Sequence, residues 1–295
     1  ILEVSGGFKA RDLWLFDNSG TLSGSLMEIG VQSLVNSGRI EAEQLKIAAY
    51  SSPSIPEADR QTATDLDNSG LLAADRLALT GFGRIRNRNQ ISTDVGWTGT
   101  QADSGKLQLE AETLDNTGGR ILAKAGLVTR VTDLVNRQGS LGSGGDLSIA
   151  VSRDLDNASG LILHQGSGTA DITVGRALNN AAGQIEGQGS RLTLSAGDLD
   201  NSDGQILQTS TRDPLTTPST LEVNVAANPA VAGTAGQLRN IKGKIAGSGN
   251  VSVTADALMT DASDPRLSTG SSFSLLDKTG AYLRWQYLGE RLRLE

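Results

Sequence analysis

"LDNTGGRI", residues 114–121, places an apolar residue, an acid and an asparagine ahead of a tight glycine-bearing turn and a β-branched residue. Variants return along the chain: "FDNSGTL" from Phe16, "LVNSGRI" from Leu34, "LDNSGLL" from Leu66, "LDNASGLI" from Leu155 and "LDNSDGQI" from Leu199. Aligned on the asparagine, the copies fall at Asn18, Asn36, Asn68, Asn87, Asn116, Asn136, Asn157, Asn180, Asn201 and Asn240, spaced by 18, 32, 19, 29, 20, 21, 23, 21 and 39 residues. Six of the nine spacings lie between 18 and 23. That regularity is the mark of a repeat architecture.

Between the asparagines, apolar residues alternate, as in Leu107, Leu109, Ala111, Leu114 and in Leu192, Leu194, Ala196, Leu199. Period two means strands, and every such segment is short and bounded by glycine. Strands of this length in a unit of about 20 residues predict an all-β chain, a right-handed parallel β-helix of about 12–14 coils with loop insertions.

The winding explains the asparagine. Leu114 and Asn116 are two apart on a strand and share a face, so an inward leucine makes an inward asparagine and turns Asp115 outward. A lone buried amide is costly, but coils stacked at about 4.8 Å let each amide donate to the next and accept from the one before. The competing reading makes the asparagine a left-handed turn residue. The glycine after it is expected to allow the corner through positive φ. The outward neighbour reads Asp17, Val35, Asp67, Arg86, Asp115, Val135, Asp156, Asn179, Asp200 and Arg239. Aspartate occupies every other coil, which doubles the distance between like charges, or else the repeat is two coils long.

Composition is consistent with a core. Glycine supplies 36 of 295 residues, above the usual share of about 7%, while the apolar share is ordinary. With 26 basic and 33 acidic residues, net charge −7 and no basic block, nucleic acid is a poor partner. There is no cysteine, so disulfides and thiolate chemistry are excluded. No apolar run reaches about 20 residues, so no membrane span is expected. The opening at Ile1 and the charged close "GERLRLE" predict a piece of a longer protein.

Repeats of the form Leu-Asp-Asn-x-Gly-Gly-x-Ile followed by alternating Leu and Ala resemble the haemagglutinin repeats of filamentous haemagglutinin, over roughly residues 10 to 260. "IRNRNQI" around Asn87 and "LRNIKGKI" around Asn240 are degenerate copies, and "LMTDASDPRL" from Leu258 has lost the asparagine. The resemblance implies a secreted β-helical fibre on the bacterial cell surface. Such fibres are exported by two-partner secretion through an outer-membrane transporter that serves the full-length protein. They act as adhesins or carry a toxin in contact-dependent growth inhibition. The implied partner is an outer-membrane protein or glycan of a target cell, or a host receptor.

Residues 1–262 are therefore read as repeats and 263–295 as a cap, a transition segment or the start of the next domain; this last stretch holds Phe273, Tyr282, Trp285 and Tyr287. Three gaps exceed a coil. They contain "AAYSSPSIPEADRQTATD" (48–65), "STDVGWTGTQADSG" (92–105), and, on either side of the strand at Leu221, "TSTRDPLTTPST" and "AANPAVAGTAG". Five of six prolines sit there, because proline cannot donate to a strand ladder. The first insertion and "AANPAVAGTAG" are expected at one corner of the coil, and the other two at another. Loops on a rigid scaffold carry binding, so Tyr50, Pro53, Trp97, Arg212, Trp285 and Tyr287 are the candidate partner contacts. The bland alternative folds Tyr50 and Trp97 back over the coil wall, and another makes the whole chain a structural stalk.

Catalytic signals are weak. His164, the only histidine, lies in "GLILHQGSG" without an implied acid or serine partner. "GSGGD" at 142–146 lacks the nonapeptide period of calcium-binding coils. A carbohydrate-active β-helix needs clustered charges on one face, which alternating aspartates disperse. No enzyme activity, cofactor or metal is expected.

Overall fold

The computed structural model describes residues 2–50, 64–93, 104–210, 219–230 and 232–260, with the strands Ser272–Leu276, Tyr282–Tyr287 and Leu292–Leu294 beyond them. Among the described residues every regular element is a β-strand. Among the described residues no helix is long and apolar enough to cross a membrane. The chain forms two compact units, Ile1–Gly145 and Asp146–Glu295.

In the first unit, Leu2–Asn18, Thr21–Asn36, Arg39–Ala49 with Asp65–Asn68, Leu71–Asn87, Lys106–Asp115 and Gly126–Val135 pair successively, always in parallel. Short strands at Gln90–Ser92, Arg120–Ala123 and Ser140–Ser143 stack beside them. The second unit repeats the scheme. Asp146–Asp156, Thr169–Asn179, Arg191–Asp200, Thr220–Val225 and Asn250–Ala255 are parallel neighbours, as are Leu161–His164, Gln184–Gly187, Gln205–Gln208 and Lys244–Gly247. A strand meets the equivalent strand one coil later, so residues of one column share one neighbourhood. The result is an all-β stack of parallel strands compatible with a β-helix.

Register follows from burial, because a slip of one residue would turn every apolar side chain out. Leu107 and Leu109 stack on Leu127 and Thr129, Leu114 on Leu134, and Ile121 on Leu141, all buried. In the second unit Ile149, Ile172, Leu194 and Val223 form one such column. Each fully buried Leu, Ile or Val contributes about 1.5–3 kcal/mol over exposure.

The long strand is bent. After Leu109 the inward phase slips, so Ala111 is only half buried and the next inward residue is Leu114. The pairing register shifts near this point, between Leu79 and Phe82 in one strand and between Val174 and Ala177 in another. The alternation expected from sequence holds through the equivalent Val131, Val151, Val174 and Ala196, which are buried, and Ala111 departs from it.

The asparagine position is passed six times in the first unit, from Asn18 to Asn136, and five times in the second, from Asn157 to Thr260, which pairs with Asn240. Among the described residues the passes number eleven, against the 12–14 coils expected. Among the strands beyond residue 260, Ser272–Leu276, Tyr282–Tyr287 and Leu292–Leu294 form an antiparallel sheet.

Candidate binding surface

The ladder is the scaffold from which the insertions leave. Nδ2 of Asn18 donates to Oδ1 of Asn36 at 2.8 Å, and the relay continues to Asn68, Asn87, Asn116 and Asn136 at 2.7–2.8 Å. In the second unit it runs from Asn157 to Asn180, Asn201 and Asn240 at 2.7 Å per step. The second N–H of each amide goes to a corner carbonyl; that of Asn116 reaches Gly119 O and Ser140 O, both at 3.2 Å. Asn36 through Asn201 are buried.

None of these asparagines has positive φ, so the left-handed reading fails. Positive φ falls two residues later, at Gly118, Gln138, Ser159, Ala182, Asp203 and Lys242. The residue after that donates its N–H back to the asparagine carbonyl, as Gly139 does to Asn136 at 3.1 Å and Gly183 to Asn180 at 3.0 Å. The expected conformational reason holds at Gly118, whereas this third residue is glycine for room: a Cβ on Gly183 would lie 2.2 Å from Asn157 O and 2.7 Å from Asn180 Oδ1.

The outward row stacks as expected: Asp17 on Val35, Val35 on Asp67, Asp67 on Arg86, Arg86 on Asp115. Its acids also have a local task that spacing did not reveal. Asp115, Asp156 and Asp200 accept the backbone N–H of Thr117, Ala158 and Ser202 at 2.9–3.1 Å, opening the corner as aspartate turns do. The alternate places bring counter-charges, Arg86 to Asp67 at 2.8 Å and Arg239 to Asp200 at 4.0 Å. Burial pushes the Asp115 carboxyl up, but the Arg88 guanidinium and the Thr117 donors outweigh it and hold the group well below the ordinary carboxylate range.

Four insertions leave at two places. Between Ala49 and Asp65, and between Val225 and Gln237, the long strand is interrupted at its bend, since Ala49 pairs with Val31 and Asp65 with Ser33. The other two interrupt the corner from short to long strand, between Ser92 and Lys106 and between Gln208 and Thr220. The expected sharing of corners is therefore present at the stems.

Of the candidate contacts, Tyr50 stands at the first stem, half buried, its N–H donating to Val31 O at 2.9 Å. Across that gap Thr64 Oγ1 accepts from Gly83 N at 2.8 Å, and Asp65 meets Arg84 at 2.7 Å. Pro53, Trp97 and Arg212 lie outside the described residues. Trp285 and Tyr287 lie on the backbone of Tyr282–Tyr287, where Trp285 pairs with Phe273. The "AANPAVAGTAG" insertion lies against the wall of its own unit. Asn228 Nδ2 donates to Gly175 O at 3.1 Å, Asp198 accepts from Ala235 N and Gln237 N at 3.0 and 2.9 Å, and the Thr234 methyl occupies the place a Cβ on Gly197 would take.

Two contact candidates escaped the sequence reading. Trp14 and Leu15 are 69% and 52% exposed on the first strand. Positive φ at Asp12 and a register shift between Ala10 and Leu13 break the alternation just before them, and neither is visible in the sequence. His164 is fully buried in the short-strand column, its carbonyl accepting from Gln188 N at 2.8 Å. Among the described residues no group of three or more His, Cys, Asp or Glu could hold a metal ion. Comparison of the chain with protein families, with curated proteins and with solved structures finds no match.

Proposed function

We propose that the chain is a non-catalytic binding segment of a secreted bacterial surface fibre, a right-handed parallel β-helix of filamentous haemagglutinin type. It recognises an outer-membrane protein or glycan of a target cell, or a host receptor, for adhesion or toxin delivery. The observation that carries this reading is the contrast within each coil. The ladder and core columns repeat almost unchanged, whereas the insertions depart from anchored stems and hold five of the six prolines. Residues that differ from coil to coil at a fixed place are where specificity can reside on an otherwise uniform scaffold. Recognition uses the insertions at 48–65 and 92–105, with those at 207–220 and 226–237 as a second patch.

The test shortens all four insertions to coil length, checks folding by circular dichroism, and measures binding of the intact and shortened chains to a panel of bacterial and host cells. Saturable binding by the intact chain and its loss in the shortened one is the expected result. No binding by the intact chain to any cell would instead leave a structural stalk.

A further inference from the structure

Two of the insertions share a feature at their base that goes beyond where they leave the coil. Thr93, buried at 1% exposure, takes the inward place that Ala123 holds in the next coil. Its hydroxyl donates to Gly105 O at 2.7 Å, joining the two ends of the excursion 94–103, and accepts the Lys124 N–H of the next coil at 2.9 Å. On the far side of the gap, Ser104 Oγ donates to the buried carboxylate of Asp75, 2.6 and 2.7 Å from its two oxygens, and Gly105 N donates to Asp75 O at 2.7 Å.

The second unit does the same with other residues. Ser248 Oγ donates to Ser210 O at 3.2 Å and lies 3.2 Å from Ser219 Oγ, so one hydroxyl of the following coil touches both ends of the excursion 211–218. Ser210 and Ser219 are buried, and Thr209 Oγ1 is tied to Glu186 Oε1 at 2.6 Å.

Chain length agrees. Without 94–103, three residues (Ser104, Gly105, Lys106) separate inward Thr93 from inward Leu107, and three (Lys124, Ala125, Gly126) separate Ala123 from Leu127 in the next coil. Without 211–218, four residues (Thr209, Ser210, Ser219, Thr220) separate Gln208 from Leu221, and four (Gln188 to Arg191) separate Gly187 from Leu192. At both sites the coil is already closed beneath the insertion.

We infer that residues 94–103 and 211–218 are exchangeable cassettes: the hydroxyl clasps of Thr93 and of Ser219 with Ser248 complete the coil, and the fold does not depend on what the cassettes contain. That the cassettes serve recognition rests on the function proposed above; the closure does not. The 226–236 insertion is bound to the wall of its coils by Asn228, by the Thr234 methyl and by Asp198.

The test excises 94–103, 211–218, or both from the full chain and follows unfolding by heat and urea. Each excised chain is expected to unfold cooperatively with its midpoint within a few degrees of the parent, whereas excision of 227–235 lowers it clearly. Loss of cooperative unfolding on excising 94–103 or 211–218 would overturn the inference. Thr93→Val isolates the clasp: it should lower the midpoint equally in the full chain and in the chain lacking 94–103. An effect that vanishes on excision would show that the hydroxyl serves the insertion and not the coil. If excised chains fold but bind cells as well as the parent, the cassettes stand and the proposed recognition by them falls.

Discussion

Ala182 and Gly183 are neighbours whose sequence identities invert the usual expectation. Ala182 holds φ of 53°, a left-handed conformation that costs a side-chain-bearing residue about 1–2 kcal/mol. Glycine there costs about 0.5–1 kcal/mol in lost unfolded-state freedom, so Ala182→Gly should be neutral or stabilise by up to about 1.5 kcal/mol. Gly183 has no such φ, yet Gly183→Ala drives a methyl onto Asn157 O and Asn180 Oδ1 and should cost at least about 1–3 kcal/mol. Urea denaturation of the two variants decides this, and the opposite order would refute the packing account of the corner. A second residue test uses Thr129, inward beside Leu109, whose buried hydroxyl has no hydrogen-bond partner. Thr129→Val keeps the shape and removes an unsatisfied group that costs about 1–3 kcal/mol, so its unfolding midpoint should rise; a fall would contradict the inward placement.

At the scale of the element, the outward acids couple corner, charge and pH. Asp115 has its folded pKa held below its ordinary value near 3.8, so its contribution to stability is fully present above that value and fades as pH falls below it. Asp115→Asn should therefore destabilise most at about pH 6 and progressively less as pH falls below the ordinary value near 3.8, read from paired thermal unfolding curves. A difference independent of pH would mean that burial and shape, not the charged bonds to Arg88 and Thr117, set its role. Much of this element was legible in sequence. Leucine and asparagine two apart gave the inward face, and the asparagine spacing gave the coil. The bend after Leu109 was not, because Ala111 is apolar and continues the alternation in sequence while the backbone turns beneath it. The aspartate turn was hidden for a similar reason: spacing shows that Asp115 faces out, whereas its bond to Thr117 N depends on the corner's dihedral angles. Insertion stems were legible from coil length, but the clasps join residues brought together only by folding, Ser210 and Ser248 being 38 apart.

For the whole molecule, both units rest on one principle: a polar side chain too costly to bury alone is buried against its own copies. Each interior asparagine spends one N–H on the next coil and the other on a corner carbonyl, so the array is satisfied along its length while its surface stays free to vary. Nearest-neighbour stacking of this kind makes stability a sum over adjacent coils. Asn116→Leu should therefore strand the amides of Asn87 and Asn136 and cost about 1–3 kcal/mol or more. The most direct test is residue-resolved hydrogen exchange of the side-chain carboxamides, measured by NMR on the intact chain. The carboxamides of Asn68, Asn87, Asn116, Asn180 and Asn201 should exchange slowly, opening only with their coils, while those of the exposed Asn89, Asn224 and Asn250 exchange at free rates. Ladder carboxamides that exchange as fast as Asn89 would contradict the account.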